Sequence, residues 1–222
     1  MTTHIFFDAG NTLVFVNMQL VSETLGRRGA RATPEELWRS EHRVRREIDD
    51  PELIRRTTDG SRWHLYFERI LAGCGITKPS LVRPTLADLR DRHAEHNIWE
   101  VVPPEVPLAL DQLRRRHRLS VISNSNGTVR ELLRRVGLLP YFDVVVDSHE
   151  ERIEKPDPRI FRRAMERTGA RADRSLYVGD FYHIDVAGAR AAGMRAMLLD
   201  PGGFHGDKPV PRIPSIRFLI GG

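Results

Sequence analysis

The chain has 222 residues, a formal net charge of +5 and one cysteine, Cys74. That length can bury a proper core in one large or two modest domains. The lone thiol excludes an internal disulfide and fits a reducing compartment. No apolar run approaches the roughly 20 residues needed to cross a bilayer, and Met1-Thr2-Thr3 passes directly into an apolar segment. A cytoplasmic protein with no membrane partner is therefore expected. The basic excess is almost all arginine, yet from about 16 to 99 the signs nearly balance, as in Arg43, Arg45 and Arg46 against Glu41, Glu47, Asp49 and Asp50. Such alternation reads as solvated helix faces, so no nucleic-acid partner is expected, although a modest positive field draws small anions.

In chain order, His4-Ile5-Phe6-Phe7-Asp8 reads as a short buried strand that delivers a carboxylate into a tight turn. Residues 16–99 carry little strand signal but four amphipathic stretches, near 17–28, 33–48, 61–74 and 80–96. Thr33-Pro34-Glu35-Glu36 is a helix start, with a capping threonine, proline at the first helical position and acids in the first turn. After this block, apolar runs alternate with helical patterns. Strands are expected at 119–122, 142–146, 175–178 and 195–199, with helices at roughly 104–116, 127–137, 158–169 and 184–192. Ile216-Arg217-Phe218-Leu219-Ile220 reads as a final edge strand. The sum is an α/β fold: a doubly wound, mainly parallel Rossmann-like sheet from residues 1–15 and 100–222, with an all-helical domain inserted at 16–99.

In an open parallel sheet, ligands bind beyond the carboxyl ends of the strands, near the switch in strand order. Asp8, Ser123 and Asp180 each follow or end such a strand, so side chains far apart in sequence should converge. Taken singly, each has a plainer reading. Asp8 suits a turn, Ser123-Asn124 suits a helix cap, Lys155 suits a solvated loop, and Asp185 suits a helix start. The delivery of Gly179-Asp180 from a strand, with Asp185 five residues on, is the least expected by chance.

The set Asp8-Ala9-Gly10-Asn11-Thr12-Leu13, Ser123-Asn124, Lys155-Pro156 and Gly179-Asp180 with Asp185, in this order, resembles the haloacid dehalogenase superfamily. The resemblance implies that Asp8 is a nucleophile forming an aspartyl-phosphate. Ser123 and Lys155 would hold and neutralise the phosphoryl group, with Thr12 and Asn124 as further substrate contacts. It implies Mg²⁺ held by Asp8, Asp180, Asp185 and the Gly10 carbonyl, a helical cap that selects substrate, and a small phosphorylated molecule as partner. Three aspartates in one cleft repel unless cations are supplied, and Lys155 plus a divalent ion balances them.

One position departs from the pattern. Most phosphatases resembling this chain carry a second acid two residues after the nucleophile, where this chain has Gly10. General acid–base assistance is worth about 10²–10⁴ in rate. A slow phosphatase, a substitute group such as His183, a 2-haloacid dehalogenase needing no proton donor, or a non-catalytic phosphoryl- or metal-binding module all fit that gap. A Schiff-base role needs a lysine in the helical block, and Lys78 is poorly placed in an apparent loop. Asn17, Arg62, Trp63, His64 and Tyr66 are candidate substrate contacts there, though Trp63 and Tyr66 at helical spacing fit core packing better.

Overall fold

The computed structural model describes residues 2–221, and the chain divides into two compact units, Met1–Phe15 with Val101–Gly222, and Val16–Glu100. The strands, in chain order, are β1 (His4–Phe7), β2 (Phe15–Val16), β3 (Trp99–Val101), β4 (Arg118–Ser123), β5 (Val144–Asp147), β6 (Ser175–Gly179), β7 (Arg195–Leu199) and β8 (Arg212–Ile213). β2 and β3 pair with each other where the helical segment begins and ends.

Six strands form one sheet in the order β5-β4-β1-β6-β7-β8, every pair parallel. Continuous apolar runs with both faces covered are what a parallel sheet demands. All four residues of β1 are buried, as are Leu119–Ser123 of β4. The order is that of doubly wound folds, with the switch in direction between β1 and β6. Those are the two strands followed by Asp8 and Asp180. On one face, Phe6, Ile122, Val146, Phe161, Tyr177, Val186 and Leu198 form a fully buried cluster. Helix Pro158–Thr168 packs there, started by the Asp157 side chain accepting from the Arg159 N–H and by proline in its first turn, and ended by Gly169 at φ +67°.

One sequence expectation fails in this unit and another is refined. Residues 216–220 are not an edge strand; Ile216–Leu219 is a short 3₁₀ turn. The edge is taken earlier, where Leu198 N–H donates to the Pro211 carbonyl and Asp200 N–H to the Ile213 carbonyl. Pro214 then has no N–H to continue the ladder, and the remaining apolar residues curl. The helix expected over 184–192 is a π-helical turn, Tyr182–Val186, running into a short α-helix, Ala187–Ala191. Single π turns recur at functional sites, and this one carries Asp185.

Between β2 and β3 the second unit is helical: Met18–Arg27, Pro34–Ile48, Pro51–Arg56, Asp59–Gly73 and Pro79–His96. Thr33 and Glu36 complete a reciprocal capping box at the second helix. The six-residue third helix is absent from the sequence reading, although Asp50-Pro51 repeats the Thr33-Pro34 start signal and Asp50 accepts from Leu53 N–H. Ser40 donates to the Ile70 carbonyl at 2.9 Å, joining the second and fourth helices. Glu41, buried, takes a 2.7 Å bond from the Tyr66 hydroxyl and another from Arg45. Among the described residues, no helix is long and apolar enough to cross a membrane.

His93 makes this unit sensitive to acid. Its ring lies tilted against Trp63 and edge-on to Trp99, and Nδ1 accepts from the Ile98 N–H at 3.4 Å. Burial, with the neighbouring Arg90 charge, lowers its pKa to about 4. The folded form therefore binds fewer protons than the unfolded chain between about 6.5 and 4, and stability present above 6.5 is lost as pH falls through that window. The loss amounts to about 3 kcal/mol at most. Urea unfolding should show a midpoint that falls between pH 6.5 and 4, and a flatter profile in His93→Phe. An equally steep profile in the variant would assign the slope to other groups.

Candidate active site

The site is built from strand ends. β1 stops at Phe7, and Asp8 N–H donates to the Val178 carbonyl at 2.8 Å, which fixes the first carboxylate beside β6. The following turn closes on Ala9, whose carbonyl accepts from the N–H groups of Leu13 and Val14. Asn11 sits in the left-handed region at φ 52°, a conformation asparagine tolerates better than most residues. Gly10 and Val14 form an isolated bridge that runs through the Ala9 carbonyl and Asn11 N–H. Thr12 is 1% exposed, and its hydroxyl has no hydrogen-bond partner among the described residues.

Asp8, Asp180 and Asp185 converge. Each offers a carboxylate oxygen, and these oxygens lie within 4.8 Å of one another in a buried cluster. Lys155 reaches into it, with Nζ 2.6 Å from Asp8 Oδ1 and 2.7 Å from Asp185 Oδ1. Four side chains thus carry three formal negative charges and one positive. Burial pushes the Asp8 carboxyl up to about 6; Lys155 pulls it down and Asp185 pushes it up. Burial also opposes the charge on Lys155, but Asp185 and Asp8 more than offset it and hold its pKa above the ordinary lysine value.

Tyr177 completes this network and is the residue that sequence reasoning missed. Its hydroxyl takes a 2.9 Å bond from Lys155 Nζ and lies 3.0 Å from Asp185 Oδ1 and 3.1 Å from the Ile122 carbonyl. Burial, then the charges of Asp185 and Asp8, hold its pKa well above the usual phenol value, so the hydroxyl stays protonated. A tyrosine inside a fully buried strand needs a partner for its hydroxyl, and that was the available signal.

Close approach shapes the rest. A methyl on Gly179 would lie 2.6 Å from Asp185 Oδ2, and one on Gly188 would lie 2.8 Å from the Pro156 carbonyl oxygen. Asp185 Oδ2 accepts from Phe181 N–H at 3.0 Å, which holds the acid against its own turn. Ser123 is buried at the end of β4, its hydroxyl making only a long 3.4 Å bond to the Asn124 carbonyl. Asn124 lies beside it, but its side chain is spent on the Lys155 backbone, donating to the carbonyl at 3.0 Å and accepting from the N–H at 2.8 Å. Its amide therefore positions the lysine.

The candidate contacts from the helical segment have local roles. Asn17 caps the first helix and donates to Glu100 at 2.9 Å. Arg62 donates to the Thr57 carbonyl, and Trp63 and Tyr66 are buried against Phe67. His64 and Lys78 are exposed. His183 lies in the turn between Asp180 and Asp185, beside Lys208.

A buried carboxylate–lysine centre at the switch point of a doubly wound parallel sheet defines an α/β enzyme with an acidic site. A family model for haloacid dehalogenase-like hydrolases matches residues 2–193, and the chain belongs to that family of hydrolases. It is 35% identical over 127 residues to a glyceraldehyde 3-phosphate phosphatase of Methanothermobacter thermautotrophicus, covering 57% of this chain and 55% of that one. It is 32% identical over 127 residues to the haloacid dehalogenase-like hydrolase domain-containing protein 3 of Danio rerio, covering 57% and 52%. The chain thus spans about half the length of these relatives. A solved 2-haloacid dehalogenase from Pseudomonas syringae pv. Tomato DC3000 matches 99% of this chain and 96% of its own, at 26% identity and a TM-score of 0.60.

The Tyr177 hydroxyl ties three segments together at one oxygen. Tyr177→Phe should lower stability in urea unfolding by about 1–3 kcal/mol, because buried groups lose their partner. An unchanged midpoint would mean that those groups are satisfied without it.

Proposed function

We propose that this hydrolase is a Mg²⁺-dependent phosphatase that cleaves a small phosphomonoester through an aspartyl-phosphate on Asp8. The observation that carries the reading is the charge of the buried cluster: three carboxylates against one ammonium. A net charge of about −2 out of water is costly, and one divalent cation cancels it. The donor set fits Mg²⁺, which prefers oxygen ligands and takes one or two carboxylates together with water and substrate phosphate. Asp8, Asp180 and Asp185 would hold it, with the Gly10 carbonyl. Bound there, the ion neutralises charge on the phosphoryl oxygens.

The chain's own residues supply the remaining chemistry. An Asp8 carboxylate oxygen forms a bond to phosphorus as the bond from phosphorus to the ester oxygen breaks, and the leaving oxygen takes the electron pair. Water then cleaves the acyl-phosphate, releasing phosphate and restoring Asp8. Lys155, bonded to Asp8 and kept charged by its surroundings, offsets negative charge on the transferring group. The Ser123 hydroxyl, weakly engaged, and the buried Thr12 hydroxyl, without a partner, are donors for phosphoryl oxygens. The helical segment Val16–Glu100 serves as the substrate-selecting cap, and the protein works in the cytoplasm on a phosphorylated small molecule. The phosphatase named among its relatives supports this reaction class.

The rival is 2-haloacid dehalogenation, favoured by the Pseudomonas structure and by Gly10, since a departing halide needs no proton. Against it stands the acid pair Asp180 and Asp185, whose excess charge metal-free chemistry would leave uncompensated. Purified protein should hydrolyse p-nitrophenyl phosphate, lose that activity with EDTA, recover it with Mg²⁺, and lose it in Asp8→Asn. Halide release from 2-chloropropionate without metal would replace the phosphatase reading by its rival; Mg²⁺ or phosphate binding with no turnover would leave a binding module.

Gly10 has its own consequence. On an alkyl phosphate, whose leaving oxygen needs a proton, Gly10→Asp should raise turnover by about 10²-fold. An unchanged or lower rate would show that another group already supplies the proton.

A further inference from the structure

The loop after β7 is built more rigidly than a connection to a two-residue edge strand requires. Asp200, buried, accepts from the N–H groups of Phe204 and His205, both at 3.0 Å, and lies 3.5 Å from Arg212. Lys208 N–H donates to the His205 carbonyl, Val210 N–H donates to the Lys208 carbonyl, and Arg190 donates to the Pro209 carbonyl at 3.0 Å. This framework presents one side chain. The Lys208 ammonium lies 3.3 Å from His183 Nε2 and 5.1 Å from the centroid of the Tyr182 ring. No carboxylate among the described residues lies within ion-pair distance of it. Most of the exposed arginines of this unit that form ion pairs, by contrast, do so with an acid two to four residues away, as Arg159 does with Asp157 and Arg134 with Glu131.

The position matters as much as the missing partner. Tyr182 and His183 belong to the π-helical turn between Asp180 and Asp185, so the lysine stands on the same carboxyl rim of the sheet as the acidic cluster. It is half-buried and within reach of solvent. Its bond to His183 uses one of three N–H groups, and the aromatic face below favours the cation without consuming another. Two donors remain. A singly charged acceptor with two oxygens, a carboxylate, matches that capacity better than a phosphate dianion, which needs more donors.

We propose that Lys208, oriented by His183 and Tyr182, recognises a carboxylate on the leaving group of the substrate, so that the preferred substrates are phosphorylated hydroxy acids. The inference rests on the phosphatase reading and narrows it to one substrate class. It makes Lys208 a specificity residue contributed by the sheet-bearing unit.

The matched pair 3-phosphoglycerate and glycerol 3-phosphate tests it, since a carboxylate in one replaces a hydroxymethyl group in the other. The wild-type protein should show a kcat/KM for the acid about 10- to 100-fold above that for the alcohol, the range of a charge-assisted hydrogen bond. Lys208→Met should bring the ratio close to one, mainly through the KM of the acid, and Lys208→Arg should restore most of it. A wild-type ratio near one, or a high ratio that survives Lys208→Met, overturns the inference while p-nitrophenyl phosphate hydrolysis keeps the phosphatase reading standing. Absence of turnover on every ester, p-nitrophenyl phosphate included, removes both.

Discussion

The bridging of two buried aspartates by Lys155 is the interaction on which the rest of the site depends. An ammonium and carboxylates taken from water each carry a desolvation cost of several kcal/mol, offset only by good geometry and further hydrogen bonds. The fold provides both. Asn124 clamps the lysine backbone from two sides, Tyr177 takes one of its N–H groups, and the missing side chain at Gly179 lets Asp185 come close. The arrangement still leaves more negative than positive charge in the buried cluster.

Much of this was legible in the sequence because strand ends and motif spacing are local signals. Asp8, Lys155, Asp180 and Asp185 stand out as a set in motif order rather than singly, and the doubly wound order brings them together. Tyr177 did not, because inside an apolar strand it reads as one more core residue until its hydroxyl is seen between two strands and a turn. Asn124 was expected to contact substrate on the strength of the family resemblance. Its bonds to Lys155, 31 residues away, are a tertiary fact that no local pattern carries. The edge strand failed for a related reason: Ile216–Ile220 has strand character, but the edge of β7 was already taken by residues 211–213. Propensity yields to the tertiary context of the segment.

The helical segment separates packing from function in a similar way. Trp63, Tyr66 and Arg62 have the chemistry of ligand contacts, yet each is buried and engaged within its own unit. The sheet-bearing unit, by contrast, places half-buried polar groups along the rim where the acids lie. Selectivity for part of the substrate, as proposed for Lys208, would then reside in the sheet-bearing unit.

The position of β1 has a kinetic consequence. It precedes the other strands of its sheet in the chain and ends up in the middle, where His4 pairs with Arg118 on one side and Ser175 on the other. Loop closures of that length slow the assembly of a parallel sheet, and domains fold as units while the chain emerges. The helical segment, a compact unit of its own, can form while β1 still waits for its partners. The nascent chain thus carries β1 unpaired, with Ile5, Phe6 and Phe7 uncovered, until β4 and β6 have been made, the interval in which a chaperone would have most to protect.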